Sequence, residues 1–286
     1  MVEPKQEQPA AFVIGWPIDH SRSPLIHGHW LQRHGLSGSY TKYPCAPGHF
    51  EAFVGQLPQH GFVGGNVTMP HKETAFLCAT ETTPTAKRLK AVNTLWLEDG
   101  VLCGDNTDGY GFLANLDQHA PNWDAAQRQA VPCLVLGAGG AARAIVDGLV
   151  QRGFNHIILA NRTVERAEAL LNDLAPDGRA IPLAAVPAVA GDVGLIVNTT
   201  SVGMEDGTSP MDLSAVHGNA LVTDIVYTPL LTPLLHAAAE RGLASVDGLG
   251  MLLHQAVPGF ERWFGERPTV NETLRHVVLN DLQEDA

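Results

Sequence analysis

Short apolar runs recur along the chain, and amphipathic stretches separate several of them. The runs have the length and composition of strands: AFVIG (11–15), NTLWL (93–97), CLVLG (133–137), HIILA (156–160), GLIVN (194–198) and ALVTDIVY (220–227). Residues 163–175 place apolar side chains at steps of three and four, which predicts a helix with Thr163 as N-cap and one buried stripe of Ala167, Leu170, Leu171 and Leu174. Strands that alternate with such helices predict an α/β fold with a parallel sheet.

Two breaks interrupt this pattern. The first falls near 104–132, where residues 118–132 (QHAPNWDAAQRQAVP) are polar and contain proline, as linkers and surface loops often do. The second falls near residue 247, where DGLGM carries two glycines. The tail beyond it is predicted to be helical, with Pro258 as a stop or a kink.

Composition and charge narrow the class of protein. The chain has 286 residues, of which 45% are apolar and 17% charged, a mixture typical of a globular protein with one large or two modest domains. Its formal net charge is −12. A binder of the phosphate backbone needs the opposite sign, so we expect no nucleic-acid partner. Local cations must therefore hold any anionic small ligand.

Cysteine and histidine usage predicts neither disulfides nor a metal site. The four cysteines are far apart and form no CxxC pair, which fits a reducing compartment: Cys45, Cys78, Cys103 and Cys133. His27 and His29 are two positions apart and would point to different sides of a helix. The start MVEPKQEQPA lacks an apolar signal core, and no apolar run reaches the ~18 residues that span a bilayer. We expect a cytoplasmic protein with no membrane partner.

The stretch VLGAGGAARA (135–144) follows a predicted strand and opens a predicted helix. Gly137, Gly139 and Ala142 match the pattern GxGxxA. In a dinucleotide site the first glycine permits the tight turn, the second lets the backbone approach a pyrophosphate, and the alanine allows close helix–strand packing. The stretch therefore predicts dinucleotide binding, with an ordinary glycine-rich turn as the alternative.

The end of the next predicted strand bears on the choice of dinucleotide. An NAD site usually has an acidic residue there, which accepts a hydrogen bond from the ribose 2′-hydroxyl. Here the strand ends in ANRTVER (160–166), with Asn161, Arg162 and Thr163 in place of a carboxylate. Because a guanidinium can bind a 2′-phosphate with two hydrogen bonds, NADP is favoured over NAD. The alternative is that Arg162 is simply solvated.

Polar side chains cluster after apolar runs in the first third of the chain. Ser21 and Ser23 could both point at a carboxylate, or Ser23 could merely cap the helix that Pro24 opens. In GGNVTMPHKE (64–73), an amide, a hydroxyl and an ammonium follow two glycines, which would let a ligand approach the backbone: Asn66, Thr68 and Lys72. Asn93 and the NTDG stretch that contains Asp108 add further polar groups, although NTDG alone could be a turn.

Taken in order, these motifs resemble the shikimate dehydrogenase family nearly end to end. The matching motifs are HSRSP, NVTMPHK, AVNTL, DNTDG, GAGGAARA, NRT, NTTSVGM (198–204), DIVYTPLLTPLL (224–235) and DGLGMLLHQA (247–256). The resemblance implies reversible reduction of 3-dehydroshikimate to shikimate with NADPH, in chorismate and aromatic amino acid biosynthesis. Two residues depart from the family pattern: Lys90 stands where glycine is usual, and Gly28 stands where Asn or Gln is usual.

The resemblance also implies a division into domains. Residues 1–107 would form an α/β substrate-binding domain, with residues 248–286 packing back on it. Residues 108–247 would form a doubly wound, Rossmann-type NADP-binding domain. The active site would be the cleft between the two, and the protein a monomer or a homodimer.

Site residues are carried over motif by motif. Two serines would bind the substrate carboxylate, Ser21 and Ser23. Seven residues would surround its ring: Asn66, Thr68, Lys72, Asn93, Asp108, Tyr227 and Gln255. NADP would be bound by Gly137, Ala138, Gly139, Gly140, Ala141, Asn161, Arg162, Thr163, Val164, Glu165, Arg166, Ile225 and Gly248.

Reduction of a ketone requires a proton at the oxygen as charge develops there. We expect Lys72, paired with Asp108, to donate it, because a neighbouring carboxylate favours the charged lysine. The lysine could instead act chiefly as an electrostatic stabiliser of the oxyanion. His71 is the other candidate acid, although a structural role suits it better.

Three rival functions remain. A quinate/shikimate dehydrogenase that uses NAD would normally place an acid near the ribose. A short-chain dehydrogenase needs Tyr-x-x-x-Lys, and no tyrosine of the chain has lysine four positions on: Tyr40, Tyr43, Tyr110 and Tyr227. A non-catalytic nucleotide-binding paralogue would have lost the Lys72–Asp108 pair.

Overall fold

The computed structural model describes residues 8–125, 129–204 and 207–284, which form two compact units. The first unit runs to Thr107 and resumes at Gln255, and the second is Asp108–His254. Each unit contains one six-stranded sheet with helices.

Strands and helices alternate through most of the chain. The strands are β1 (Ala10–Gly15), β2 (Ser39–Pro44), β3 (Phe62–Val67), β4 (Glu81–Thr82), β5 (Thr94–Glu98), β6 (Val101–Asp105), β7 (Cys133–Leu136), β8 (Ile157–Asn161), β9 (Arg179–Pro182), β10 (Leu195–Asn198), β11 (Leu221–Asp224) and β12 (Ala244–Val246). The α-helices among the described residues are α1 (Ser23–His34), α2 (Phe50–Gly55), α3 (Lys72–Cys78), α4 (Pro84–Leu89), α5 (Asp108–His119), α6 (Gly140–Gln151), α7 (Val164–Leu174), α8 (Pro233–Glu240), α9 (Leu249–Gln255), α10 (Val257–Phe264) and α11 (Glu272–Glu284).

The sheet of the first unit is mixed, with strand order β2-β1-β3-β5-β6-β4. Strand β1 pairs in parallel with both β2 and β3, whereas β5 is antiparallel to β3 and to β6. Apolar side chains cover both faces of this sheet, one around Phe12 and Ile14 and the other around Ala11 and Val13. The alternation of these residues along β1 is what a strand buried on both faces requires.

The C-terminal segment completes the first unit. Trp263 on α10 donates its indole N–H to the backbone oxygen of Leu95 at 2.9 Å, and Trp30 donates to the backbone oxygen of Thr269 at 3.3 Å. A Cβ on Gly64 would come within 2.4 Å of the Trp263 indole nitrogen. The expectation that this glycine makes room for a ligand is therefore wrong, because it makes room for tryptophan.

The sheet of the second unit is wholly parallel, with strand order β12-β11-β10-β7-β8-β9. The order reverses between β7 and β10, as in the doubly wound nucleotide-binding fold, and ligands of such sheets bind where it reverses. Buried apolar clusters lie on both faces. The predicted α/β class with a Rossmann-type domain is confirmed.

Local predictions agree with the structure at the apolar runs and fail in the first break. The six predicted strands correspond to β1, β5, β7, β8, β10 and β11, and the predicted helix is α7. Thr163 is its N-cap residue but makes no side-chain cap bond. The stretch predicted as a break from residue 104 contains α5, and Trp123 beyond it is buried against Phe154; residues 126–128 of that stretch lie outside the described part of the chain.

The return to the first unit falls at Gln255, later than the boundary at residue 248 suggested by the motifs. Helix α9, up to His254, remains with the second unit because it packs closely on α5. A Cβ on Gly250 would lie 1.8 Å from Asn115 Oδ1, and His254 Nε2 lies 2.7 Å from Gln118 Oε1. Pro258 lies in the first turn of α10, so it begins a helix instead of stopping one.

Within the described residues, no helix combines the length and the apolar character that a bilayer crossing requires. All four cysteines are unpaired thiols. Burial raises the pKa of the Cys133 thiol.

Candidate active site

The serine motif lies in the loop between β1 and α1. Ser21 Oγ lies 3.3 Å from Ser23 Oγ and accepts the Ser23 backbone N–H at 3.4 Å. Ser23 is the first residue of α1. The N-cap residue of this helix is Arg22, and no side chain makes a capping hydrogen bond. The alternative that Ser23 merely caps the helix is therefore wrong.

The ends of β1 and β3 hold the serine and lysine motifs side by side. Trp16 donates its backbone N–H to the Met69 oxygen at 3.0 Å, and Thr68 donates to the Ile14 oxygen at 2.9 Å. A Cβ on Gly15 would come within 2.4 Å of Thr68 Cγ2. Glycine at this position thus allows the Thr68 side chain to lie against the start of the serine loop.

Lys72 is the first residue of α3, and its backbone joins two motifs. Val92 donates its backbone N–H to the Lys72 backbone oxygen at 2.9 Å. The start of the asparagine motif AVNTL therefore lies beside the start of α3. The neighbouring His71 is buried, bonds to the Cys45 backbone oxygen through Nε2 at 2.7 Å, and stacks on Phe50. This interior position suits the structural role expected of His71 and not that of the acid.

Asn93 is oriented by the segment that follows β6. Thr107 donates its backbone N–H to Asn93 Oδ1 at 2.9 Å, and its hydroxyl lies 3.1 Å from the same oxygen. The Thr107 hydroxyl also lies 2.8 Å from the backbone oxygen of Gln255. These contacts bring Gln255, in the returning segment, close to the asparagine motif.

Asn66 lies near the end of β3, close to these motifs, but its side chain is buried in the protein interior. Its Nδ2 donates to the Asn93 backbone oxygen at 3.2 Å and to Thr94 Oγ1 at 3.3 Å, and its Oδ1 accepts the Tyr40 hydroxyl at 2.6 Å. Both amide hydrogens are therefore used inside the protein. The predicted role of Asn66 as an amide donor to a ligand ring does not fit this geometry.

A stack of buried rings packs behind Asn66. His27 is fully buried and lies flat on Tyr40, with ring centroids 4.0 Å apart and an angle of 10° between the planes. Burial lowers the pKa of His27 to about 3 and raises that of Tyr40 well above its ordinary value. His27 is thus a neutral packing residue. In the described part of the chain, no three His, Cys, Asp or Glu side chains come together in a group that could hold a metal ion.

In the second unit, the glycine-rich loop joins β7 to α6 at the point where strand order reverses. Gly137 has φ +99°, and a Cβ on it would lie 2.7 Å from Thr199 Oγ1, beyond the end of β10. Gly139 is the N-cap residue of α6, and a Cβ there would meet nothing within 4 Å. Ala142 is fully buried. The predicted strand–loop–helix unit is confirmed, and its exposed helix N-terminus fits a pyrophosphate.

The end of β8 presents cationic and neutral side chains. Asn161 Nδ2 donates to the Thr163 backbone oxygen at 2.8 Å, which shapes the turn into α7. Arg162, Thr163 and Arg166 are exposed. Glu165 is also exposed, but it lies in the first turn of α7 and not at the strand end. The donor set therefore fits a ribose that carries a 2′-phosphate.

A buried carboxylate organises the segment after β11. Asp224 is fully buried and accepts hydrogen bonds from Asn198 Nδ2 at 3.0 Å, the Val226 N–H at 3.0 Å and the Thr232 hydroxyl at 2.8 Å. Burial raises the pKa of Asp224 although these three donors oppose the shift. The carboxylate thus fixes the start of the segment that runs on to Tyr227.

Two residues predicted to face the cofactor meet in this region. A Cβ on Gly248 would come within 2.3 Å of the Ile225 backbone oxygen, so the two segments touch at this glycine. Tyr227 follows and is half-buried.

Each unit therefore gathers its own set of the predicted residues. The first holds Ser21, Ser23, Asn66, Thr68, Lys72, Asn93 and Gln255, and the second holds Asp108, Tyr227 and the predicted cofactor residues. The pairing of Lys72 with Asp108 joins the two units and stays a prediction.

Sequence reasoning missed three buried polar side chains that support the motifs: Tyr40, Thr94 and Asp224. Asp224 had a usable signal, because a carboxylate that interrupts the apolar run ALVTDIVY must find donors if the run is buried. Tyr40 and Thr94 had none, since both types are ordinary strand residues.

Comparisons with known protein families match most of the chain. The shikimate dehydrogenase substrate-binding domain matches residues 13–95, and the shikimate/quinate 5-dehydrogenase family matches residues 123–205. The shikimate 5′-dehydrogenase C-terminal domain matches residues 248–276.

Individual proteins agree with these matches. A protein named shikimate dehydrogenase (NADP(+)) from Rhizobium rhizogenes is 53% identical over 277 residues, which cover 96% of each chain. Among solved structures, shikimate 5-dehydrogenase from Thermus thermophilus in complex with NADP(H) and shikimate is 34% identical, with a TM-score of 0.85 over 96% of this chain and 99% of that one. Quinate dehydrogenase from Corynebacterium glutamicum in complex with NAD is 27% identical, with a TM-score of 0.87 over the same shares. The chain belongs to the shikimate dehydrogenase family.

Proposed function

We propose that this protein is an NADP-dependent oxidoreductase that interconverts 3-dehydroshikimate and shikimate, a step toward chorismate and the aromatic amino acids. The observation that carries the proposal is 53% identity, over 96% of both chains, to a protein named for this activity and cofactor. The two clusters described above supply the chemistry that the activity needs.

The first unit would bind the substrate. Ser21 and Ser23 offer hydroxyl donors for its carboxylate at the start of a helix, where the helix dipole also favours an anion. Thr68 and Asn93 supply a hydroxyl and an amide for the ring oxygens, and Gln255 is held near Asn93. A small polar ring with one negative charge suits this set of donors.

The second unit would bind NADP. The loop from Gly137 to Ala141 receives the pyrophosphate, and Arg162 and Arg166 bind the 2′-phosphate of the ribose. Ile225 and Gly248 face the remainder of the dinucleotide. When bound, NADPH supplies a hydride to the ketone carbon.

Lys72 supplies the proton. Its ammonium donates to the ketone oxygen as negative charge develops there, and in the oxidation direction it takes the proton back. Asp108, at the first position of α5, would pair with the ammonium and orient it. A positioned proton donor typically contributes about 10²–10⁴-fold to the rate.

The end of β8 argues against quinate dehydrogenation with NAD. A carboxylate that would accept the 2′-hydroxyl of NAD is missing from Asn161, Arg162 and Thr163, all of which the structure describes. The fold alone does not separate the two activities, since the quinate dehydrogenase from Corynebacterium glutamicum is equally similar in shape.

The decisive assay follows the loss of reduced nicotinamide with 3-dehydroshikimate, using NADPH and NADH in parallel. We expect turnover with NADPH and a much lower kcat/KM with NADH. Lys72→Ala should lower kcat by about 10²–10⁴-fold while KM changes little. Lys87→Ala removes an exposed lysine of α4 and is the matched control. Turnover by Lys72→Ala equal to that of the control would contradict the catalytic role.

A further inference from the structure

A chain of buried polar side chains runs beneath the predicted substrate residues of the first unit. It joins Tyr40 on β2 to Asn66 on β3, then to Thr94 on β5, and it ends at Asn93. All four residues are between 1% and 8% exposed. Such a set stabilises one arrangement only if every member finds its partner, because an unpaired buried polar group is costly.

The orientation of the Asn66 amide is fixed by the backbone. Its Nδ2 faces the Asn93 carbonyl oxygen at 3.2 Å, and a carbonyl oxygen can only accept. Turning the amide over would set two acceptor oxygens against each other. Asn66 Oδ1 must therefore face Tyr40, and the Tyr40 hydroxyl must donate to it at 2.6 Å.

A backbone donor decides which end of the Asn93 amide is the oxygen, and the Thr94 hydroxyl helps to hold that oxygen in place. The Thr107 backbone N–H can only donate, and it points at Asn93 Oδ1 from 2.9 Å. Thr94 Oγ1 donates to the same oxygen at 2.9 Å and accepts from Asn66 Nδ2. Because its oxygen is engaged on this side, the NH₂ group is the end of Asn93 that a ligand would meet.

Tyr40 is held in place for this task. It is the one buried residue of the edge strand β2, whose other positions are exposed or partly exposed. Its ring stacks on His27, with ring centroids 4.0 Å apart, and its hydroxyl is thereby held against Asn66.

We propose that Tyr40 and Thr94 are positioning residues of the substrate site. Thr94 holds the Asn93 side chain directly, and Tyr40 acts through Asn66, which holds Thr94, so that Asn93 presents its NH₂ group to a ligand oxygen. That oxygen must accept a hydrogen bond, as a ring hydroxyl or carbonyl oxygen does. The inference rests on the proposed function, since shikimate carries ring oxygens of this kind.

The test measures shikimate oxidation with NADP⁺ in Tyr40→Phe, Thr94→Val and the double variant. Each substitution removes one hydroxyl and keeps the shape of the side chain. We expect the KM for shikimate to rise about tenfold in each, the size expected for losing one buried hydrogen bond. The kcat and the KM for NADP⁺ should stay within about twofold, because the lysine and the nucleotide loop are untouched. The double variant should lose less than the product of the two single losses, since either change already breaks the chain.

Tyr43→Phe and Thr41→Val make the same chemical changes on β2 outside the buried chain, and both should keep the wild-type KM for shikimate. A purely structural role would lower Tm without moving this KM. If Tyr40→Phe does not fold, Thr94→Val decides the matter alone. A folded Thr94→Val with the KM of its control overturns the inference, whatever its Tm.

The wild-type protein in the same assay separates this inference from the proposed function. Failure of the wild type to oxidise shikimate overturns both. Wild-type turnover combined with control-like KM values in both hydroxyl variants overturns the positioning roles and leaves the proposed function standing.

Discussion

The backbone of Gly15 lies against the side chain of Thr68, so closely that a Cβ on the glycine would come within 2.4 Å of Thr68 Cγ2 and 3.0 Å of the Met69 oxygen. Both neighbours are held by the hydrogen bonds between the ends of β1 and β3. A methyl group at position 15 must therefore push Thr68 away from its site.

We expect Gly15→Ala to raise the KM for shikimate by about tenfold or more, and to cost about 1–3 kcal/mol of unfolding free energy through overpacking. Steady-state kinetics and urea unfolding measure the two effects. Gly28→Ala is the control, because a Cβ on this residue of α1 would meet nothing within 4 Å. An unchanged KM in Gly15→Ala would show that Thr68 does not contact the substrate.

Two glycines of the nucleotide loop should respond differently to the same substitution. Gly137→Ala must strain a left-handed backbone and press on Thr199, so it should lower both Tm and NADP affinity. Gly139→Ala meets no protein atom within 4 Å, so its Tm should stay near wild type while NADP affinity falls by about tenfold or more. Thermal unfolding and titration with NADP⁺ distinguish the two. Wild-type affinity in Gly139→Ala would mean that the pyrophosphate binds elsewhere.

Arg162 should carry the preference for the 2′-phosphate. Arg162→Ala should raise the KM for NADPH by about tenfold and leave the KM for NADH nearly unchanged, because only NADPH has the phosphate that the guanidinium binds. Arg179→Ala, at an exposed position of β9, is the matched control. An equal rise in KM for NADPH and NADH would mean that Arg162 stabilises the loop and does not bind the 2′-phosphate.

His27 should make stability depend on pH in the acid range. Its pKa is about 3 in the folded protein and near 6.5 when unfolded, so the unfolded chain binds the proton first. Stability is therefore full above about pH 6.5 and falls as the pH drops toward 3, by about 2–3 kcal/mol between pH 7 and 4.5. Urea unfolding at several pH values measures this slope. His27→Phe should flatten it, whereas His156→Phe, at an exposed position, should keep the wild-type slope.

The second unit was more predictable than the first for a physical reason. Its central strands are buried on both faces, so they read as continuous apolar runs such as CLVLG. Strand β2 buries only Tyr40, and β3 contains two glycines that admit Trp263 and Phe12. Neither strand has a distinctive pattern, because contacts far away in sequence decide its composition.

Helix α5 was missed for a related reason. Its sequence DGYGFLANLDQH has glycines at the second and fourth positions, which usually signal a turn. A Cβ on Gly109 would lie 2.7 Å from the Ala144 oxygen, so this glycine serves close packing against α6. The motif residues of the candidate site could be named from the sequence, but the burial of Asn66 could not, because its partners Tyr40 and Thr94 belong to other strands.

The first unit is discontinuous in sequence, and this sets the order in which a nascent chain can fold. Its sheet is synthesised before the second unit, but α10 and α11 are synthesised after it. Until then the Leu95 carbonyl lacks the Trp263 indole, and the hollow at Gly64 stays unfilled. The second unit is continuous and can be complete before α10 and α11 are made, so the unit whose sheet is synthesised earlier is the one that is completed later.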